Sequence, residues 1–363
     1  MSNKKMKKSV LISFIFILLG TRCFPQAQKI VKHDGKIFSS ATLLAGKRLE
    51  HTNKRKIKRI NEMLTSNGHL YTISEYPNGW GQTIMESYLL DSARSRMIYE
   101  REYGKRPSGS YTFESPSLFL TDKDSVWCAD KAFGNIYCVS DSNVSITKDY
   151  ILSIKAKVPY PISFTANNIY QKRVHEYFFW GHQPGNGSGA VFHASKFSDS
   201  LVIKEVLKTI YDVQYQSWEA NYGVFSYDRT RNVGCYAYRM YPTIIFFCMN
   251  GEVYCSNIFQ GKPFNPQTLK DGDTWDMNPS YFITLVSSVS GVYALYWGQK
   301  YTIMKEQRKR GNVKSWILHF DWNGNLINTF CMSKLLMNFS VDESEHSIIA
   351  FDGTNFWSFE IKE

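Results

Sequence analysis

The sequence predicts an all-β chain folded as one six-bladed β-propeller, with about four antiparallel strands per blade and a ring closed by the N-terminal segment. Three observations predict it. Aromatic residues are abundant, with 24 Phe, 23 Tyr and 9 Trp in 363 residues. Few stretches carry a helical period. Strand–turn–strand units recur at a spacing of about 50 residues, and repeats of about 40–50 residues built from short strands mark propeller blades.

Taken in chain order, the first element lies outside the fold. "MSNKKMKK" is a basic leader and "SVLISFIFILLG" an apolar run of signal-peptide length. That run is shorter than the roughly 20 residues of a membrane-spanning helix. Two processing sites compete. "LGTRC" places Cys23 where a bacterial lipoprotein carries its lipid, although Arg22 stands where a small residue is usual. "CFPQAQK" allows cleavage after Ala27, with Pro25 unfavourable two places earlier. The expected organisation is a signal peptide over 1–27, or over 1–22 with a lipidated Cys23, and a single propeller domain over 28–363.

The formal charge of +11 overstates the mature surface. Residues 1–27 hold five basic residues (Lys4, Lys5, Lys7, Lys8, Arg22) and no acidic one, so 38 basic residues face 32 acidic ones in the remainder, a net +6. The excess is local, in "KRKIKR" (Lys54 to Arg59) and "KEQRKRGNVK" (Lys305 to Lys314). An exported protein seldom meets nucleic acid, so these runs read first as solvated loops or strand edges, where lysine discourages unwanted strand pairing, with a patch for an anionic partner as the alternative.

The blades are visible as hairpins. Asn323-Gly324 joins two aromatic and branched flanks in "SWILHFDWNGNLINTF", and Asn250-Gly251 does the same in "TIIFFCMNGEVYCSNIF". A two-residue hairpin turn needs positive φ at both central positions, which Asn-Gly supplies at least cost. Four further hairpins cover Glu86 to Glu102, Ser125 to Ser140, Glu176 to Phe197 and His346 to Glu363. Opening strands of the later blades read as "SPSLFL", "PISFTA", "YGVFSY", "PSYFITLV" and "LLMNFSV". The stretch "KIFSSATLLAGKRL" (36–49) is too short for a blade of its own and is expected to complete the last one, which leaves no open edge.

These residues resemble the TolB-like six-bladed propellers found among exported proteins of Gram-negative bacteria, from about residue 30 to the end. The segment "EYGKRPSGSYTFESPSLFLTDKDSVWCADKAFGNIYCVS" carries the resemblance. Members often show Gly-x-Gly-Pro-x-Glu-Phe before a blade-opening strand. Gly104, Pro107 and Phe113 keep that outline, Arg106 replaces the second Gly, the Glu is missing, and Asp130 matches a strand-ending Asp. The resemblance implies an architecture and names no activity.

No reaction is written in the chain. The eight histidines form no HExxH and no HxH. "GHQPGNGSG" lacks the Lys-Ser/Thr of a phosphate loop, and Ser188 does not sit in GxSxG, because Asn186 stands two places before it. In "DGDTWD", Asp271, Asp273 and Asp276 could present oxygens to calcium, but Trp275 and Asp276 break the EF-hand pattern and the stretch reads as an acidic surface loop. Propeller hydrolases of the lactonase kind hold a divalent ion with residues from several blades, and Asn221, Asn278 and Asn338 lie near blade starts. Polar residues ending loops explain those three more simply. No cofactor and no metal are expected. Cys128 and Cys138 flank one hairpin and could face each other, although most cysteines sit in apolar strand contexts where a buried free thiol is the simpler reading.

The leading functional expectation is therefore a non-catalytic binding module. Its partner would be an envelope protein, a peptide or a glycan, held at one mouth of the channel by a monomer that touches the membrane only through an N-terminal lipid. A metal-dependent lactonase and a structural envelope scaffold are the alternatives. Arg106, Tyr160, Trp218 and Tyr281 are the candidate ligand-binding residues, because segments leading into first strands converge on one end of a propeller. Such side chains combine contact area with a polar handle.

Overall fold

The computed structural model describes residues 28–53, 55–77, 83–103, 116–120, 125–130, 135–139, 144–147, 163–182, 189–197, 200–344 and 346–361. Its strands group into four-stranded antiparallel units, taken here as blades. Blade one holds β4 (Arg59–Ser66), β5 (His69–Glu75), β6 (Thr83–Leu90) and β7 (Arg96–Tyr103). Blade two holds β8 (Pro116–Leu120), β9 (Val126–Asp130), β10 (Asn135–Val139) and β11 (Val144–Thr147). Blade three holds β12 (Ser163–Arg173), β13 (Glu176–His182), β14 (Gly189–Phe197) and β15 (Ser200–Lys208). Blade four holds β16 (Gly223–Asp228), β17 (Val233–Tyr238), β18 (Thr243–Cys248) and β19 (Val253–Phe259). Blade five holds β20 (Ser280–Ser287), β21 (Gly291–Gln299), β22 (Ser315–Asp321) and β23 (Leu326–Met332). The last unit has β24 (Asn338–Asp342), β25 (Ser347–Phe351) and β26 (Phe356–Glu360), and its fourth strand is β3 (Gly46–His51), antiparallel to β26.

The first strands pack in a ring, each against the next, and β24 packs against β4. Among the described residues the apolar core falls into six clusters, one between each consecutive pair of units. Phe178, Trp180, Phe225 and Tyr236 fill the space between blades three and four. Phe246, Tyr281, Phe282 and Phe320 fill the space between blades four and five. A blade covered on both faces needs apolar residues on both, so β16, β17 and β18 are buried at every position rather than at alternate ones. The aromatic richness of the sequence is spent here, because flat rings fill the gap between twisted sheets.

All six hairpins of the sequence fall on paired strands, but not on equivalent ones. In blades one, four and five the hairpin is the outer pair, and in the others it is the middle pair. That shift makes the spacing along the chain uneven.

The Asn-Gly turns need a correction. Only Gly324 (φ 80°) and Gly251 (φ 92°) have positive φ, not the asparagines before them. Gly324 N–H donates to Asp321 O (3.0 Å) and Asp321 N–H to Asn325 O (2.9 Å), which closes a three-residue loop. The Asp321 carboxylate selects it by accepting from the N–H groups of Asn323 (2.9 Å) and Asn325 (2.7 Å). The two-residue turn with positive φ at both positions is Asn67-Gly68 (49° and 77°), between β4 and β5.

The N-terminal segment does more than close the ring. β1 (Lys29–His33) adds a parallel strand to the outer edge of blade four, and β2 (Thr42–Leu44) does so on blade five. Between them a short helix, α1 (Lys36–Ser39), packs Phe38 against Tyr296 and Trp316. Three more helices are described: α2 (Gln267–Asp271) and α3 (Thr274–Met277) between β19 and β20, and α4 (Tyr301–Lys309) between β21 and β22. Half of the basic run, Lys305 to Lys309, is thus helix, and the rest, Arg310 to Lys314, is the loop that the sequence leads one to expect.

In the β9–β10 ladder Cys128 pairs with Tyr137 and Cys138 with Trp127, so the two cysteines are not cross-strand partners. Cys128, Cys235, Cys255 and Cys331 are buried thiols outside any disulfide, whereas Cys248 is disulfide-bonded.

Candidate functional site

One end of the molecule gathers the segments that lead into first strands together with the connections between second and third strands. It is called the entry end below. At that end, blades three and four and helix α3 build a partly exposed aromatic group around Arg239.

Arg239 follows β17. Its N–H donates to Tyr222 O (2.8 Å) and its carbonyl accepts from Tyr281 N–H (2.8 Å), so its backbone is fixed between two blades. Its guanidinium lies over the Trp275 ring, 5.5 Å from the centroid. Tyr222 meets Trp275 edge-on at 5.0 Å, and Trp218 lies 6.4 Å from both rings. The His182 ring stacks flat on Trp218, with centroids 4.9 Å apart and planes 7° from parallel.

The electrostatics of this group are unusual. Arg239 is largely buried, its Nε is buried without a partner, and its side chain makes no hydrogen bond or ion pair among the described residues. Desolvation pulls its pKa below the ordinary arginine value, opposed by Tyr222 and reinforced by the positive charge of Arg59 at the head of β4. An arginine remains a cation even so. The protein has placed five N–H donors on an aromatic bed and supplied no described acceptor.

The sequence candidates separate here. Trp218 belongs to this group. Tyr281 does not: it is fully buried between blades four and five, and its hydroxyl is used by the main chain of Lys262, accepting from N–H (2.7 Å) and donating to O (2.8 Å). Burial pushes its pKa up to about 12. Arg106, Tyr160 and Cys23 lie outside the described residues. Sequence reasoning missed Arg239, Trp275, Tyr222 and His182. They sit in four different segments of the chain, at the end of β13 and in the connections β15–β16, β17–β18 and β19–β20, and only the ring brings those together.

The asparagines weighed for a metal are committed elsewhere. Asn221 Oδ1 accepts from Tyr211 N–H (2.7 Å), Asn278 Oδ1 from Asn265 N–H (2.8 Å), and Asn338 Oδ1 from Phe339 N–H (2.8 Å). Each amide ties down the segment entering its blade, so its oxygen is not free to ligate an ion. Asp271, Asp273 and Asp276 are exposed around two short helices. No group of three His, Cys, Asp or Glu side chains able to hold a metal occurs among the described residues.

Two other polar groups are self-contained. Glu86 is fully buried in blade one, where its carboxyl accepts from Tyr76 OH (2.6 Å to each oxygen), Asn53 Nδ2 (3.1 Å) and Tyr88 OH (3.2 Å). Burial raises its pKa against the lowering effect of those hydroxyl bonds. At the opposite end, Ser290, His319 and Glu343 resemble a hydrolytic trio but lack its direction. Ser290 Oγ donates to Glu343, so His319 Nε2, 3.0 Å away, is the donor to Ser290 rather than its base. The trio is a latch between blade five and the last unit.

No family model matches the chain, and no curated protein matches it. Solved structures do. A member of the DUF4221 family from Bacteroides vulgatus is 9% identical, with a TM-score of 0.54 over 89% of this chain and 98% of that one. Regucalcin, a calcium-binding protein from Agrobacterium tumefaciens, is 9% identical with a TM-score of 0.48 over 89% and 97%. BamB from Moraxella catarrhalis is 10% identical with a TM-score of 0.35 over 89% and 98%. At such identities the likeness concerns the fold, and with the strand pairing above it shows that the chain is an all-β propeller.

Proposed function

We propose that this protein is an exported, non-catalytic binding propeller whose entry end captures a carboxylate on an envelope protein or peptide. The observation that carries this reading is Arg239, a largely buried guanidinium with no described acceptor, lying over Trp275 among half-buried aromatic rings. A buried charge without a partner is costly, and an oxyanion from outside would remove that cost while gaining charge-assisted hydrogen bonds. Trp218, Tyr222 and Trp275 supply apolar walls for the residue bearing the carboxylate. Helix α4 sets Lys305, Arg308 and Lys309 at the same end, which favours the approach of an acidic partner. The TolB-like resemblance and the leader over 1–27 support export, with the lipidated Cys23 as the alternative anchor. The mass of the mature N-terminus distinguishes the forms: Gln28 first, acylated Cys23 first, or an uncleaved Met1, which ends the export reading.

The binding reading is tested with matched peptides. A short Glu-containing peptide and its fully amidated counterpart are titrated into the protein, with tryptophan fluorescence as the readout. The acid form is expected to bind and the amide form to bind at least about tenfold more weakly, a difference of 1.4 kcal/mol. Arg239→Met abolishes the preference and Arg239→Lys keeps part of it. Equal binding of the two forms, or an unchanged preference in Arg239→Met, sinks the proposal. A uronic acid oligosaccharide run in parallel tells a peptide carboxylate from a glycan one.

A further inference from the structure

A second recess opens at the entry end, between blades four and five and separate from Arg239. It is a cleft of about 370 Å³ lined by Gly35, Phe38, Gln260, Lys262, Tyr296 and Trp316, among others. We infer that this cleft is a saccharide subsite that holds one or two pyranose rings against Phe38 and Trp316.

Size, wall chemistry and polarity each contribute. The volume lies at the small end of the range for ligand pockets, roughly 300–1,000 Å³. Phe38 already stacks on Tyr296 (centroids 4.9 Å, planes 19°) and meets Trp316 edge-on (5.1 Å, 61°). The rings therefore leave no parallel slot for a flat aromatic guest. They form a one-sided platform, with Phe38 and Trp316 half-buried and Tyr296 buried behind them. A pyranose has one face of C–H groups for such a platform and hydroxyls that stay wet on the other.

Donors predominate among the polar groups. Trp316 Nε1 is buried without a partner. Lys262 is exposed, makes no ion pair among the described residues, and has its main chain clamped by the Tyr281 hydroxyl. Gln260 adds a side-chain amide. No carboxylate lines the cleft, which disfavours a cationic guest. Hydroxyl and ring oxygens of a sugar accept from Lys262 Nζ and the Gln260 amide, while Trp316 Nε1, with no accessible surface, stays behind the platform. The Gly35 backbone comes close to Gln260, where an added Cβ would lie 3.3 Å from Oε1, so the helix α1 side of the cleft is closely fitted. The subsite rests on different residues from the carboxylate site and stands or falls separately.

The test uses saturation-transfer NMR on the mature protein with the neutral sugars glucose, galactose, N-acetylglucosamine, cellobiose and chitobiose, and with benzoate as a flat aromatic acid. At least one sugar is expected to receive saturation, strongest on the protons of one ring face. Its affinity is expected to fall at least about tenfold in Phe38→Ala and several-fold in Lys262→Ala, with no change in Arg239→Lys. Trp316 also packs into the core, so Lys262→Ala, on an exposed side chain, keeps the test valid if aromatic variants misfold. The inference is overturned if no sugar is saturated, if benzoate binds and the sugars do not, or if folded Phe38→Ala and Lys262→Ala bind as the parent does.

Discussion

Two arginines at opposite ends of this propeller carry the same charge in different company: one is paired inside the fold, and the other belongs to the proposed carboxylate site. Arg94, in the turn between β6 and β7, is 11% exposed and paired at 2.7 Å with Asp342, which is 9% exposed, at the end of β24. That pair bridges blade one and the last unit, and the acceptor is built in. Arg239 is buried to a similar degree of inconvenience and has no built-in acceptor among the described residues. Where the fold needs a charge neutralised for its own sake, it supplies the partner. At Arg239 the unmet donors are what the proposed carboxylate would satisfy.

The contrast can be broken most forcefully at Asp342. Asp342→Ala leaves Arg94 charged and unpaired between two blades, and urea unfolding is expected to show a loss of about 3–5 kcal/mol. The double replacement of Arg94 and Asp342 by Met and Leu should recover most of it, because an ion pair and a well-packed apolar pair of similar volume are close in energy. A single and a double variant of equal stability would mean that Arg94 is solvated and the contrast with Arg239 false.

At Arg239 the expectation is reversed. Arg239→Met removes a desolvated charge and fills the space over Trp275, so stability should change by less than about 1 kcal/mol while carboxylate recognition disappears. A loss as large as that of Asp342→Ala would place Arg239 in the fold instead. Trp275→Ala sharpens the point at smaller scale. Loss of the ring under the guanidinium should weaken binding of the acidic peptide by about 0.5–1 kcal/mol, read from the same fluorescence titration with Trp218 as the reporter.

The smallest effect is one of pH at histidines outside the entry end. Burial holds the pKa of His319 below its usual value, against Glu343 and Asp321, and holds that of His193 down against Glu176, with Lys172 and Lys204 acting alongside burial. The native state therefore binds fewer protons than the unfolded chain as pH falls through the unfolded histidine value of about 6.5. Stability from these two groups is present above that pH and is lost below it. A urea midpoint that declines from pH 7 to pH 5.5, and declines less in His319→Gln, bears this out, and an identical slope in the variant would not.

The fold was legible in the sequence because its cause is repetitive. Each blade restates the same demand for branched and aromatic strands between Gly- and Asn-rich turns, and the six hairpins and five opening strands all occur. What was not legible depended on long-range placement. Nothing local in "KIVKH" or "TLL" announces a parallel strand laid on a blade more than 200 residues later. Asp321 changed a turn type through hydrogen bonds that its neighbours' identities do not reveal. The candidate site followed the same rule. That segments entering first strands would converge was readable, and Trp218 came from that logic. Tyr281, one position into β20, is buried between blades four and five. Arg239 lies just after a second strand and His182 at the end of one, where the same geometry brings the chain to the same end.

The direction of β1 has a consequence for how the molecule is presented. Because β1 runs parallel to β19, Lys29 lies beside Cys255 toward the end opposite the entry end and His33 beside Phe259 near the entry end. The chain thus enters the fold from the side opposite Arg239 and the aromatic cleft. A tether attached ahead of Gln28 would hold the protein with its back to the surface and both recesses turned outward. A partner could then approach from the aqueous side without the anchor being released. In that arrangement the basic side chains of α4 face the incoming partner rather than the lipid beneath.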